Sequence, residues 1–150
     1  MRGYFGIGVY KPKTVENIGT LWRSAYQLGA SFIFTIGHRY KKQCSDTLKT
    51  HRHIPLFQFD DYESFKSSRL YDCRLITIEF TDKSQHLESF IHPERCVYLL
   101  GAEDGGLPTE VLKGTTPLEI PSVRTQSFNV AMAGTIVMYD RLVKHLIKPS

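Results

Sequence analysis

Cysteine is scarce in this 150-residue chain: Cys44, Cys73 and Cys96 stand far apart, with no Cys-x-x-Cys pair. An odd, sparse set excludes a disulfide framework and a zinc knuckle, and matches the usage of a reducing compartment. No secretory leader is expected, since Met1-Arg2-Gly3-Tyr4-Phe5 runs into alternating glycines rather than an apolar block. No hydrophobic run is long enough for a bilayer: the longest, Phe128 to Tyr139, is interrupted by Asn129 and falls short of the ~20 residues a span needs. Together these absences predict a soluble, cytoplasmic protein with no membrane partner and no metal. Neither a G-x-G-x-x-G dinucleotide fingerprint nor a phosphate loop ending in Gly-Lys-Ser/Thr occurs. Repeats, linkers and low-complexity tracts are absent as well.

What is present is globular. Hydrophobic residues make up 41% and charged residues 23%, a composition that predicts one folded domain over residues 1–150. The formal net charge of +4 permits an anionic partner such as nucleic acid without requiring one.

Hydrophobic periodicity supplies the frame. Tyr4 to Tyr10, Ser31 to Gly37, Ile54 to Phe59, Cys73 to Phe80, Cys96 to Leu100 and Leu118 to Pro121 read as strands, with Pro55 confining the third to an edge or to its own start. Ile18, Leu21, Trp22, Ala25 and Leu28 recur at helical spacing, with Asn17 as N-cap and Gly29 as the stop. Asp60 to Leu70 and Phe128 to Ile147 are further helices, and a short one is expected near Asp46 to Lys49. Alternating strands and helices predict an α/β layer structure with a mostly parallel sheet.

Three segments can carry chemistry. In Asn17-Ile18-Gly19-Thr20-Leu21-Trp22-Arg23-Ser24-Ala25, a turn of roughly 100° per residue carries Arg23 away from the apolar stripe, so it can enter a cleft while its helix stays anchored. Taken alone, that segment reads as a surface arginine and a capping asparagine. Leu99-Leu100-Gly101-Ala102-Glu103-Asp104-Gly105-Gly106-Leu107-Pro108 follows a strand, and its glycines let the backbone turn sharply and approach a ligand. The acid pair Glu103-Asp104 would repel phosphate. In Ile120-Pro121-Ser122-Val123-Arg124-Thr125-Gln126-Ser127-Phe128-Asn129-Val130-Ala131 a strand stops, a polar loop follows and an apolar helix opens. Ser127 by itself reads as an N-cap, whereas Asn129 reads as a buried amide in need of partners. Ala131, Ala133 and Gly134 form a small-residue patch for close approach of the sheet or of a second subunit.

In this order and spacing, N-x-G-x-x-x-R-x-A, L-G-x-E-x-x-G-L-P, and I-P followed by S-x-N-V resemble the SpoU (TrmH-like) RNA ribose methyltransferases of the SPOUT superfamily. The similarity runs from about Tyr4 to His145, with Phe128 standing where leucine is usual.

The resemblance implies an α/β domain whose C-terminal part is threaded into a trefoil knot, working as a homodimer with its site near the subunit interface. It places S-adenosylmethionine near Glu79, Leu100, Gly101, Ile120, Ser127 and Phe128, held largely by backbone groups. It also assigns Arg23 to the reacting ribose, with Glu103, Ser127 and Asn129 positioning it and Asn17 in support. The implied activity is 2′-O-methylation of RNA. The compact size leans toward transfer RNA, with ribosomal RNA as the other substrate. Methylation of a base, or an idle RNA-binding and dimerisation module, are the alternatives. The stretch around Arg39, Lys41, Lys42 and Arg52 is basic, and both RNA backbone contact and a solvated loop fit it. His92 and His145 receive no function from the sequence.

Overall fold

Short runs of aromatic and β-branched residues set the frame. A computed structural model describes residues 3–13, 15–37, 50–68, 73–102, 106–124 and 126–147. Among them, seven strands form one sheet: β1 (Tyr4–Tyr10), β2 (Phe32–Ile36), β3 (Leu56–Phe59), β4 (Arg74–Ile78), β5 (Gln85–His86), β6 (Arg95–Gly101) and β7 (Leu118–Glu119). The α-helices are α1 (Val15–Gln27), α2 (Tyr62–Ser68), α3 (Thr109–Leu112) and α4 (Val130–Ile147). Strand order is β3-β2-β1-β6-β4-β7-β5, and every ladder is parallel. The expected α/β architecture holds, and all carboxyl ends share one rim.

Two layers cover the sheet. Phe5, Ile7 and Val9 of β1 face one side, where they pack with Ile18, Leu21, Trp22 and Ala25 of α1 and with Val137 and Met138 of α4. The alternate positions of β1 are Gly6 and Gly8, and a Cβ on either would overlap the ring of Phe32 or Phe34. Those rings instead lie against Phe65 of α2, Val97 and Leu99 of β6, and Val111 of α3. Gly134 is where α4 meets α1: a Cβ there would stand 2.5 Å from Leu21. The small-residue patch therefore seats α4 within its own chain.

Several boundaries differ from expectation. α1 begins at Val15, so Asn17 lies inside its first turn and does not cap it. Its far end behaves as predicted: Gly29 takes φ +94°, and Ala30 and Gly29 donate to the carbonyls of Ala25 (2.9 Å) and Tyr26 (3.3 Å). β3 is an edge strand preceded by Pro55, as expected. α4 opens at Val130, and its cap is Asn129 rather than Ser127: the Asn129 Oδ1 accepts from the amides of Ala131 (2.9 Å) and Met132 (3.3 Å). Asn129 is exposed, which corrects its reading as a buried amide. β5 and α3 had no sequence signal, being two and four residues long. The helix expected at 46–49 lies outside the described residues. Neither Cys73 nor Cys96 is in a disulfide. No helix among the described residues is long and apolar enough to cross a membrane.

A buried polar cluster joins α4 to the start of β6. Arg141 is 4% exposed and donates to the carbonyls of Pro93 (2.7 Å) and Glu94 (3.0 Å) and to the Tyr98 hydroxyl (3.2 Å). His92, unassigned from sequence, lies between Tyr98 Oη (2.6 Å) and Asp140 Oδ2 (2.7 Å). An ionised Asp140 only accepts, so His92 carries its proton on Nε2, and Nδ1 receives the Tyr98 proton. Lys144 closes the cluster on Asp140 (2.8 Å) and on the carbonyls of Leu87 and Phe90.

Burial pulls the His92 pKa from 6.5 down to about 4, against the opposing pull of Asp140 and with a smaller push from Lys144 and Arg141. Between those values the unfolded chain binds a proton that the folded chain refuses. This contribution to stability is therefore complete above pH ~6.5 and is lost as pH falls toward 4, amounting to at most ~3 kcal/mol. Urea melts from pH 7 to 4.5 should show a steeper loss for the parent than for His92→Asn. Parallel curves would refute the buried neutral imidazole.

Candidate active site

Topology selects one part of the rim. From β1 the chain leaves over one face as α1 toward β2, while from β6 it leaves over the other as α3 toward β7. Tyr10 and Gly101 are paired at that divergence, and such switch points are where open α/β sheets bind ligands. Beside it, β6, β4 and β7 are neighbours, so Gly101, Glu79 and Ile120 end three adjacent strands. The stretch 126–129 joins them, because Val130 and Ala131 pack into the core shared with Ile78, Leu100 and Leu118.

Each expected site residue can now be placed. Leu100 is 2% exposed with its side chain in the core, so only its main chain could meet a ligand. Gly101 is half-buried, and a Cβ on it would come 2.5 Å from the Gly106 carbonyl carbon, so Gly106 lies tightly against the end of the strand. Ile120 is half-buried against the core. Ser127 and Phe128 are exposed on the rim, beside the capping Asn129. Glu79 is half-buried, and its Oε2 accepts from the Leu107 amide at 2.7 Å. Glu103, Arg39, Lys41 and Lys42 lie outside the described residues. Arg52 is exposed in a short 3-10 turn, Thr50–Arg52, and the next residue, His53, stacks near Tyr26 at 4.9 Å. Asn17 is half-buried at the rim end of α1.

Arg23 stands apart. It is exposed on the outer side of α1, roughly 12 Å along the helix from the rim at ~1.5 Å per residue. No hydrogen bond or ion pair joins its side chain to another described residue. The structure thus gathers Glu79, Gly101, Ile120, Ser127, Phe128 and Asn129 on one rim and holds Arg23 on the adjoining helical layer.

The rim suits a ligand held by main-chain groups. Apart from the Ser122 hydroxyl donating to the Arg124 carbonyl (2.7 Å), residues 121–124 and 126–128 make no hydrogen bond to one another or to the rest of the described chain. These residues are exposed, and buried or bound main-chain groups of this kind need partners. Phe80 and Val123, 79% and 89% exposed, add apolar surface beside them. Sequence reasoning missed both, because exposure of a single apolar residue carries no periodic signal.

The SpoU rRNA Methylase family model matches residues 5–139. The chain belongs to this family. It is therefore an S-adenosylmethionine-dependent RNA methyltransferase. No curated protein matches it by sequence. Solved structures share the fold of this SpoU methylase at low identity. One, from work on 2-OH methylation of C/U34 on tRNA, is 23% identical, with 97% of this chain and 99% of that one covered and a TM-score of 0.82. The rRNA methyltransferase from Sinorhizobium meliloti, with AdoMet bound, is 22% identical over 99% of this chain and 59% of that one, TM-score 0.82. AviRb from Streptomyces viridochromogenes, in complex with AdoMet, is 19% identical over 99% and 63%, TM-score 0.84. This SpoU methylase thus spans nearly all of the first and about three fifths of the other two.

The family's cofactor fits the rim described above: closely packed glycines at 101 and 106, a strand end and an exposed loop are the surfaces that a backbone-held nucleoside needs.

Proposed function

We propose that this SpoU methylase methylates a ribose 2′-hydroxyl of transfer RNA, as a single-domain cytoplasmic homodimer. The observation that carries the reading is the pairing of an exposed rim loop, 121–124 and 126–128, with the exposed Arg23 on the neighbouring helix, neither of which has a side-chain or main-chain partner elsewhere among the described residues beyond the helix itself. Transfer RNA is favoured because the likeness spans nearly the whole chain of the protein linked to 2-OH methylation of C/U34 on tRNA, and only part of the rRNA methyltransferase.

When bound, S-adenosylmethionine supplies an electrophilic methyl carbon on its sulfonium. This chain's residues provide alignment and charge. Arg23 cannot serve as a base, because a guanidinium stays protonated. It grips the phosphate beside the ribose and steadies the oxygen as negative charge grows there. Main-chain groups around Gly101, Ile120, Ser127 and Phe128 hold the cofactor, and Glu103, Ser127 and Asn129 orient the ribose. Arg52, with Arg39, Lys41 and Lys42, contacts the RNA backbone.

A dimer is supported by α4. Met132, Tyr139 and Leu146 are 56%, 58% and 69% exposed and share one outward stripe with half-buried Ile136 and Val143. That stripe lies in the same layer as α1, so a twofold pair burying it would bring Arg23 of one protomer toward the rim of the other. The double variant Met132→Glu/Tyr139→Glu is expected to run as a monomer in light scattering and to lose methyl transfer. A fully active monomer would remove the dimer from the mechanism.

The direct test is nucleoside mass spectrometry of transfer RNA treated with purified protein and S-adenosylmethionine. A new 2′-O-methylnucleoside is the expected product. A methylated base, or no product despite cofactor binding, would overturn the ribose assignment.

A further inference from the structure

Glu79 is engaged at three points, one with the residues that follow it and two with later segments. Its amide donates to the Leu118 carbonyl of β7 at 3.0 Å. Its carbonyl accepts from the Ser84 hydroxyl at 2.8 Å, and that hydroxyl also accepts from the Thr81 amide at 2.8 Å. Its carboxylate accepts from the Leu107 amide at 2.7 Å, across 28 residues of sequence. The neighbouring Gly106 has φ +60° and lies so close that a Cβ there would overlap the carboxylate. Gly106 also donates to the Ala102 carbonyl at 3.2 Å, which fastens the same turn to the end of β6.

We propose that Glu79 is a positioning residue, whose carboxylate on the Leu107 amide sets the spacing between the turn after β6 and the ends of β4 and β7. It acts on the cofactor through that turn, not by touching it. Three facts favour this over direct ligation. The carboxylate already has a strong, charge-assisted donor; a glycine is needed to let it approach; and the main chain of the same residue fixes the strand on the other side. The effect on cofactor binding rests on the site proposed above, while the link to Leu107 does not.

Two readouts separate these dependences. Glutamine keeps an acceptor oxygen at the same reach, alanine removes it, and aspartate draws it back by one methylene. Amide hydrogen exchange at Leu107, measured without cofactor, should be slow in the parent and within ~3-fold of it in Glu79→Gln, but ~10-fold faster or more in Glu79→Ala and Glu79→Asp, as expected for one lost hydrogen bond. Calorimetric affinity for S-adenosylmethionine should follow the same order, with Glu79→Gln within ~3-fold and Glu79→Ala weaker by ~10-fold or more. If Glu79→Gln weakens the cofactor as much as Glu79→Ala while Leu107 stays protected, the carboxylate is a direct ligand and the proposal falls. A freely exchanging Leu107 amide in the parent would also overturn it. Should Glu79→Ala fail to fold, Glu79→Asp supplies the broken-link arm. A parent that binds no cofactor would sink the proposed function, yet the Leu107 exchange would still decide the role of Glu79.

Discussion

Arg23→Ala is expected to bind S-adenosylmethionine within about twofold of the parent while methyl transfer falls by ~10²–10³-fold, the loss typical of removing one donor from a developing oxyanion (~2.7–4 kcal/mol). The separation follows from placement. The rim proposed for the cofactor is built from the ends of β4, β6 and β7 and the loop before α4, whereas Arg23 projects from the exposed side of α1. Truncating it leaves Ile18, Leu21, Trp22 and Ala25 buried as before, so the fold should change by less than ~0.5 kcal/mol. Arg23→Lys retains a charge but not the planar fork that matches phosphate, and should recover only part of the rate. Calorimetry, a thermal melt and single-turnover methyl transfer on the same three proteins check this. Normal turnover by Arg23→Ala would take Arg23 out of the reaction. Lost cofactor binding would move it into the donor pocket.

The parts of this structure that could be read from sequence are those fixed by local physics. Ile18, Leu21, Trp22 and Ala25 mark the buried side of α1 by their spacing, and Gly29 marks its end because only a residue at ease with positive φ closes that turn. Pro55 placed β3 at an edge because it cannot donate to a ladder. The cap of α4 could not be read in this way. Ser127 and Asn129 have equal capping chemistry, and the choice depends on where Val130 and Ala131 must enter the core. β5 exists because β7 arrives between it and β4, an event set by residues about 30 positions later. Glu79 and Leu107 meet across 28 residues, and His92 and Asp140 across 48, so no window of sequence contains either pair. The proposed site residues come from the family resemblance, which includes Glu79 among them without the bond that occupies its side chain.

Arg141→Met should lower the stability of folding by ~2–4 kcal/mol, a large share of the ~5–15 kcal/mol typical of a domain. Two terms compete. Removing a buried guanidinium recovers the cost of taking it out of water, which favours the variant. Against this, the Pro93 carbonyl loses its donor, the Glu94 carbonyl keeps only the Tyr4 amide (2.8 Å), and the Tyr98 hydroxyl loses the proton that leaves its own free for His92. Each stranded acceptor costs ~1–3 kcal/mol, and the guanidinium above the Phe5 ring, 4.9 Å from its centre, adds ~0.5–2 kcal/mol of cation–π attraction. Two or three such losses exceed the recovered desolvation, so destabilisation wins. Arg141→Lys should fall between, since one ammonium cannot span acceptors that two guanidinium nitrogens now serve. Urea denaturation of the three proteins measures the order. The cluster lies at the amino end of β6, away from the rim, so the folded fraction of Arg141→Met should bind S-adenosylmethionine as the parent does. Equal stability of Arg141→Met and parent would mean that water satisfies those acceptors as well as the arginine does. The hold of α4 on β6 would then come from its apolar face, where Val137 and Met138 are fully buried.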